Sequence, residues 1–133
     1  MYIMWFKFAT FNEKVKFMFN NEFPLDMVEF ENFIFYARSS LRLVFNTHTV
    51  PQVYPDKWNK NEFNALTIKL DFYDIIMFSC NGNTLGFECT PIIESTKDET
   101  SLTIIKNGFN LKIKSKTMSF GEISPYLDER WIK

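Results

Sequence analysis

Few side chains in this 133-residue sequence can titrate or attack near neutrality. His48 is the single histidine, and histidine is the usual general base. It falls in a polar connection running from Thr47 to about Asn61, which reads as a solvated surface loop. Cys80 and Cys89 are separated by eight residues, unlike the short spacing of zinc-binding cysteine pairs. Both fall inside predicted strands, where an unpaired thiol behaves as a small apolar residue. Two carboxylate pairs, Asp71 with Asp74 and Glu29 with Glu31, have the composition for acid–base work. Alternation along a strand places Glu29 and Glu31 on one solvated face, opposite strongly apolar neighbours. No G-x-S-x-G, H-E-x-x-H or P-loop pattern occurs, and the 4 glycines form no phosphate-cradling loop. The expectation is therefore a protein without catalytic residues, bound metal or cofactor.

The elements that position these residues are mostly strands. Apolar and polar residues alternate with period two over 2–8, 27–37, 41–46, 65–72, 74–80, 84–93, 100–107, 109–116 and 117–123. In 27–37 this puts Val28, Phe30, Ile34 and Tyr36 on one face, with Phe33 and Phe35 on the other. Residues 10–20 favour a short helix, with Thr10 and Glu13 as a capping box and Phe11, Val15, Met18 and Phe19 sharing a face, although Val15, Phe17 and Phe19 also alternate as in a strand. Turn signals stand at 81–83, 94–99 and Asn107-Gly108, the last suited to a type I′ hairpin turn. Closely spaced strands without intervening helices predict a mainly β (β-rich α+β) chain. Its antiparallel sheet forms a sandwich or curved half-barrel, with at most one or two short helices. No internal repeat or domain boundary interrupts it, so residues 1–133 read as one domain.

Hydrophobic residues make up 46% and aromatic residues 18%, including 16 phenylalanines, which supplies a core and excludes disorder. The net charge of −1 gives no electrostatic case for nucleic acid or an anionic membrane. No apolar run approaches the ~18 residues of a membrane-spanning helix, and the N-terminus lacks the cationic and apolar regions of a signal peptide. Two cysteines are too few for a disulfide framework. A soluble protein of the reducing cytoplasm, monomeric or weakly dimeric, is expected. Charge is more informative in its distribution. Acids gather at Glu22, Asp26, Glu29 and Glu31, and again at Glu94, Asp98 and Glu99. Lys106, Lys112, Lys114 and Lys116 collect on the closing hairpin. Segregated acids suit a basic protein partner, while strand lysines ordinarily serve solubility.

The stretch 53–72, VYPDKWNKNEFNALTIKLDF, joins a polar loop to an alternating strand. Pro55 stiffens its turn, Trp58 reads as a buried plug at one end of the sheet, and Asn64 satisfies loop backbone before the strand. With Lys57, Leu70 and Phe72 these residues resemble the immunity protein 50 family of bacterial polymorphic toxin (contact-dependent inhibition) systems. At the other end of the chain Gly108, Phe109, Leu111, Ile123, Pro125 and Tyr126 carry the same resemblance, as does 23–35. The resemblance spans about residues 20–127. It implies a cytoplasmic, non-catalytic protein that binds and neutralises the toxin domain encoded beside it. A nuclease toxin, with its basic cleft, would match the two acidic clusters. The alternative from another class is a small cytosolic β-barrel carrier closed around an apolar ligand. Its closing strands, however, carry lysines, and the one late arginine, Arg130, lies in the tail.

Overall fold

A computed structural model describes residues 5–20, 23–36, 39–51 and 53–131. Of the predicted N-terminal strand, residues 2–4 lie outside the described residues, and Trp5–Phe8 form a turn instead. Trp5 and Phe6 are consecutive yet both buried, which a strand with one wet face does not allow. The Trp5 indole N–H donates to the Phe23 carbonyl at 2.6 Å, and its ring packs on Phe120. A short helix, α1 (Glu13–Met18), follows. Val15, Met18 and Phe19 of its predicted face are buried. Phe11 is not, and the Thr10–Glu13 capping box does not form. Asn12 occupies the cap position without a side-chain cap, and Thr10 spends its backbone on a bridge to Ser119.

Seven strands form one sheet in the order β4-β1-β2-β3-β7-β6-β5. They are β1 (Val28–Tyr36), β2 (Ser40–Thr47), β3 (Ala65–Asn81), β4 (Phe87–Cys89), β5 (Ile92–Ser95), β6 (Thr100–Lys106) and β7 (Phe109–Tyr126). Every neighbouring pair is antiparallel. β4 and β5 lie at opposite edges of the sheet yet are joined by only Thr90 and Pro91, so the sheet curls back on itself. Ring contacts cross the curl: Phe30 of β1 and Phe87 of β4 both meet Phe109 of β7, at 5.9 and 5.0 Å between centroids. The mainly β expectation holds, and of its two forms the curled half-barrel is the one adopted.

Four details depart from the sequence reading. The two breaks expected near 73 and 116 do not end strands. Tyr73 faces Thr117 and Ile75 faces Ser115, so β3 and β7 bend together and stay paired. The bend uses Asp74 in left-handed backbone (φ 55). The predicted strand 84–93 is two, because Pro91 lacks an amide donor and the Thr90 side chain ties back to Asp26 and the Met27 amide. A bulge between Phe30 and Asn32 shifts the parity of β1. Phe33 thereby packs on the core, while Ile34 and Tyr36 turn outward. The Asn107-Gly108 turn has positive φ only at Gly108 (φ 79), so it is not type I′, which needs it at both central residues.

Candidate functional site

The sheet face turned away from the core carries a row of polar residues in register. Glu88 of β4 lies opposite Glu29 of β1, which lies opposite Asn46 of β2, then Thr67 of β3 and Ser124 of β7. Asn46 organises the row. Its Nδ2 donates to Glu29 Oε1 and to Glu31 Oε2, both at 3.0 Å, and its Oδ1 accepts from the Thr67 hydroxyl at 2.9 Å. Glu31 is the extra residue of the β1 bulge, which lets it share Asn46 with Glu29. Two glutamates on one amide, and a third directly across the ladder, place like charges side by side.

One guanidinium answers them. After β7 the chain turns into a short 3₁₀ segment (Glu129–Trp131) that lies over this face. Arg130 Nη1 donates to Glu29 Oε2 at 2.9 Å, across 101 residues of sequence. Its Nε and Nη2 donate to both oxygens of Asp128, at 2.9 and 2.7 Å. Asp128 is buried and also contacts His48 Nε2 at 3.1 Å. Asn64 locks the tail: its Nδ2 donates to the Asp128 carbonyl, and its Oδ1 accepts from the Asp128 amide at 2.7 Å. The Arg130 hydrogen bonds hold the Asp128 carboxyl far below the usual carboxylate range, against the opposing effect of burial. The same guanidinium, helped by Asn46, lowers Glu29. The His48–Asp128 pair has the form of a base and its orienting acid, but both oxygens of Asp128 are also bonded by Arg130.

On this geometry comes the comparison with known proteins. A family model described as Immunity protein 50 matches residues 12–126. The chain belongs to the Immunity protein 50 family. No curated protein and no solved structure matches it. Membership of an immunity-protein family suggests toxin neutralisation, and the residues that carry the resemblance have clear places in the fold. Pro55 precedes a 3₁₀ turn (Asp56–Lys60) and accepts from the Trp58 amide at 3.0 Å. Trp58 is 5% exposed, stacked on Tyr54 and edge-on to Phe63. Leu70, Phe72, Phe109, Leu111 and Ile123 belong to the core, Gly108 makes the last hairpin turn, and Pro125 and Tyr126 end β7.

In this immunity protein the acids expected to bind a partner separate into three groups. Glu22 lies outside the described residues. Asp26, exposed and bonded to Thr90 at 2.7 Å, flanks the row that holds Glu29 and Glu31. Glu94, Asp98 and Glu99 sit around the β5–β6 turn, where Glu99 is answered by Lys114 at 3.3 Å. Sequence reasoning missed Glu88, Asn46, Asp128, and the roles of His48 and Arg130. Glu88 was legible as the outward residue of its strand, whereas the tail contacts were not, being set by tertiary docking. Of the cysteines, Cys89 is buried, with its thiol pushed up to about 11 by that burial. Cys80 is exposed, contrary to its reading as a packed apolar residue. Among the described residues no His, Cys, Asp and Glu cluster is arranged to hold a metal, and no helix is long and apolar enough to cross a membrane.

Proposed function

We propose that this immunity protein binds and neutralises a cognate bacterial toxin domain without catalysis, using the acidic outer face of β4, β1 and β2. The observation that carries this reading is Glu88 directly opposite Glu29, with Glu31 beside it and, among the described residues, Arg130 as the single guanidinium bonded to them. Like charges across a ladder weaken a sheet, so their presence is explained by a basic partner that neutralises them on binding. A nuclease toxin supplies such a surface, because its cleft must hold phosphate, and opposite potentials speed encounter. Exposed aromatic residues around the sheet, including Phe11, Phe35, Tyr36 and Tyr73, add apolar contact. The protein acts in the cytoplasm as a monomer or weak dimer, with the toxin encoded by the neighbouring gene. Co-expression tests this: the protein rescues cells from the toxic domain of its genetic neighbour, and failure to rescue or to form a complex contradicts it. The carrier reading finds no support, since Phe30, Phe45, Phe87 and Phe109 occupy the inside of the curl where a ligand would sit.

A further inference from the structure

β7 is bordered very differently along its length. From Phe109 to Ser115 it lies between β3 and β6. At Ser119 the N-terminal segment takes the place of β6: the Thr10 amide donates to the Met118 carbonyl at 2.9 Å, and the Phe120 amide to the Thr10 carbonyl at 3.0 Å. Beyond Phe120, no described strand lies on that side. The Tyr126 carbonyl is turned inward, accepting from the Asn64 amide at 3.1 Å. Strand alternation then turns the main-chain groups of Ile123 and Pro125 toward the open edge, while the Ile123 side chain stays in the core. Proline is tolerated there because it has no N–H to leave unpaired.

This open edge forms the floor of a groove of about 1250 Å³, lined also by Phe11 and Lys14 from the N-terminal segment and by Lys57, Trp58 and Phe63 from the loop before β3. Phe11 stands in the groove lining 70% exposed. Its backbone is left-handed (φ 62), a conformation that costs a bulky residue energy and that persists where a site demands it. A large exposed aromatic on a backbone of restricted conformation is the pattern of a binding anchor. A row of main-chain groups that no described strand pairs is matched by one kind of ligand, an extended chain.

We infer that an extended segment of the toxin adds as a strand along Gly121–Tyr126 of β7, with Phe11 packing on one of its apolar side chains; this rests on the toxin-binding reading above. The charge distribution selects the toxin over a second copy of this chain. The row from Glu88 and Glu29 through Asn46 and Thr67 ends at Ser124 on this same edge, where the Ser124 hydroxyl donates to Glu122 at 3.1 Å. Two copies paired edge to edge would extend one sheet and lay their acidic faces side by side, whereas a basic toxin face is drawn to the acids while its strand enters the groove.

Amide hydrogen exchange on the protein alone and in complex with the toxin domain of the neighbouring gene tests this. In the free protein the Ile123 amide exchanges faster than the amides of Leu111 and Ile113. In the complex it slows by about tenfold or more, as an edge amide does on entering a ladder. Phe11→Ala weakens the complex about tenfold or more, the loss of an aromatic anchor, with an unchanged melting temperature. Protection confined to Glu29 and Glu31, with Ile123 still exchanging freely, overturns the added strand and leaves the toxin-binding reading standing. Absence of any complex overturns both. A dimer of this chain in which Ile123 is already protected overturns the toxin strand in favour of a second copy.

Discussion

The two halves of β7 follow different rules. Along Phe109–Ser115 the residues alternate between buried and exposed, with Leu111, Ile113 and Ser115 inward and Asn110, Lys112 and Lys114 outward. Both edges of this half are paired. Past the bend, a register shift falls between Phe120 and Ile123, Gly121 sits against an ion pair, and Pro125 lies on an edge that no described strand covers. The outer faces differ as well: lysines lie over the sealed half, while the row of Glu88, Glu29 and Glu31 leads to the open one. One strand thus serves the core at its start and presents main chain to the exterior at its end. The first half of β7 has both neighbours built in, whereas the edge beyond Phe120 is bordered by no described strand and can accept another molecule.

Breaking each half gives effects of different kinds. The largest loss of stability is expected at the wall of the open half: Trp58→Ala removes a buried ring stacked on Tyr54 and costs about 3–5 kcal/mol, read from urea unfolding. A loss below about 1 kcal/mol contradicts its role as a plug. In the sealed half Leu111→Ala costs roughly 2–4 kcal/mol, whereas Ser124→Ala, on the outer face of the open half, stays within about 0.5 kcal/mol. Equal losses at these two positions would erase the distinction between the halves. Gly121→Ala probes how the open half is held. A Cβ there meets Asp71 Oδ2 at 3.0 Å and Lys69 Cβ at 3.2 Å, pressing on the bidentate Arg42–Asp71 pair. It should destabilise by about 1–3 kcal/mol, as overpacking does.

Acid titration reads the tail that covers the acidic face. The folded forms of Asp128 and Glu29 have lowered pKa values because Arg130 bonds to both carboxylates. A lowered carboxylate contributes stability that is complete above its unfolded value, about 4, and is lost as the pH falls through the lower folded value. The unfolding midpoint of the wild type therefore drops below about pH 4, and Asp128→Asn flattens that decline. An unchanged acid limb would show that the Arg130 contacts contribute nothing to folding. A small effect has the opposite sign. Glu88→Lys replaces a repulsion across from Glu29 by an attraction and should raise stability by about 0.2–1 kcal/mol, while weakening the toxin complex.

The sequence showed most of the architecture because strand periodicity is local, and every strand from Val28 onward was legible as apolar alternation. The loop from Pro55 to Asn64 and the Gly108 hairpin were legible as well, since proline, glycine and a lone tryptophan restrict backbone and burial wherever they stand. What stayed hidden depends on neighbours distant in sequence. The β1 bulge, which brings Glu31 onto Asn46, is fixed by the register of β2. The separation of β4 from β5 depends on which edge each finds. Arg130 reads as a tail residue until the fold places it on Glu29. The breaks near Tyr73 and Lys116 misled because each looked like an end by itself, and only their being opposite one another lets both strands continue.

The most direct test of the account measures association of the protein with its neighbour's toxin domain as a function of salt, for two charge-reversed variants. Reversing Glu31 and Glu88 to lysine should slow association by about tenfold or more and flatten its salt dependence. Reversing Lys112 and Lys114 to glutamate should leave the association no slower. Equal rates for the wild type and the Glu31→Lys, Glu88→Lys variant, at every salt concentration, would contradict the assignment of the acidic face as the toxin-binding surface.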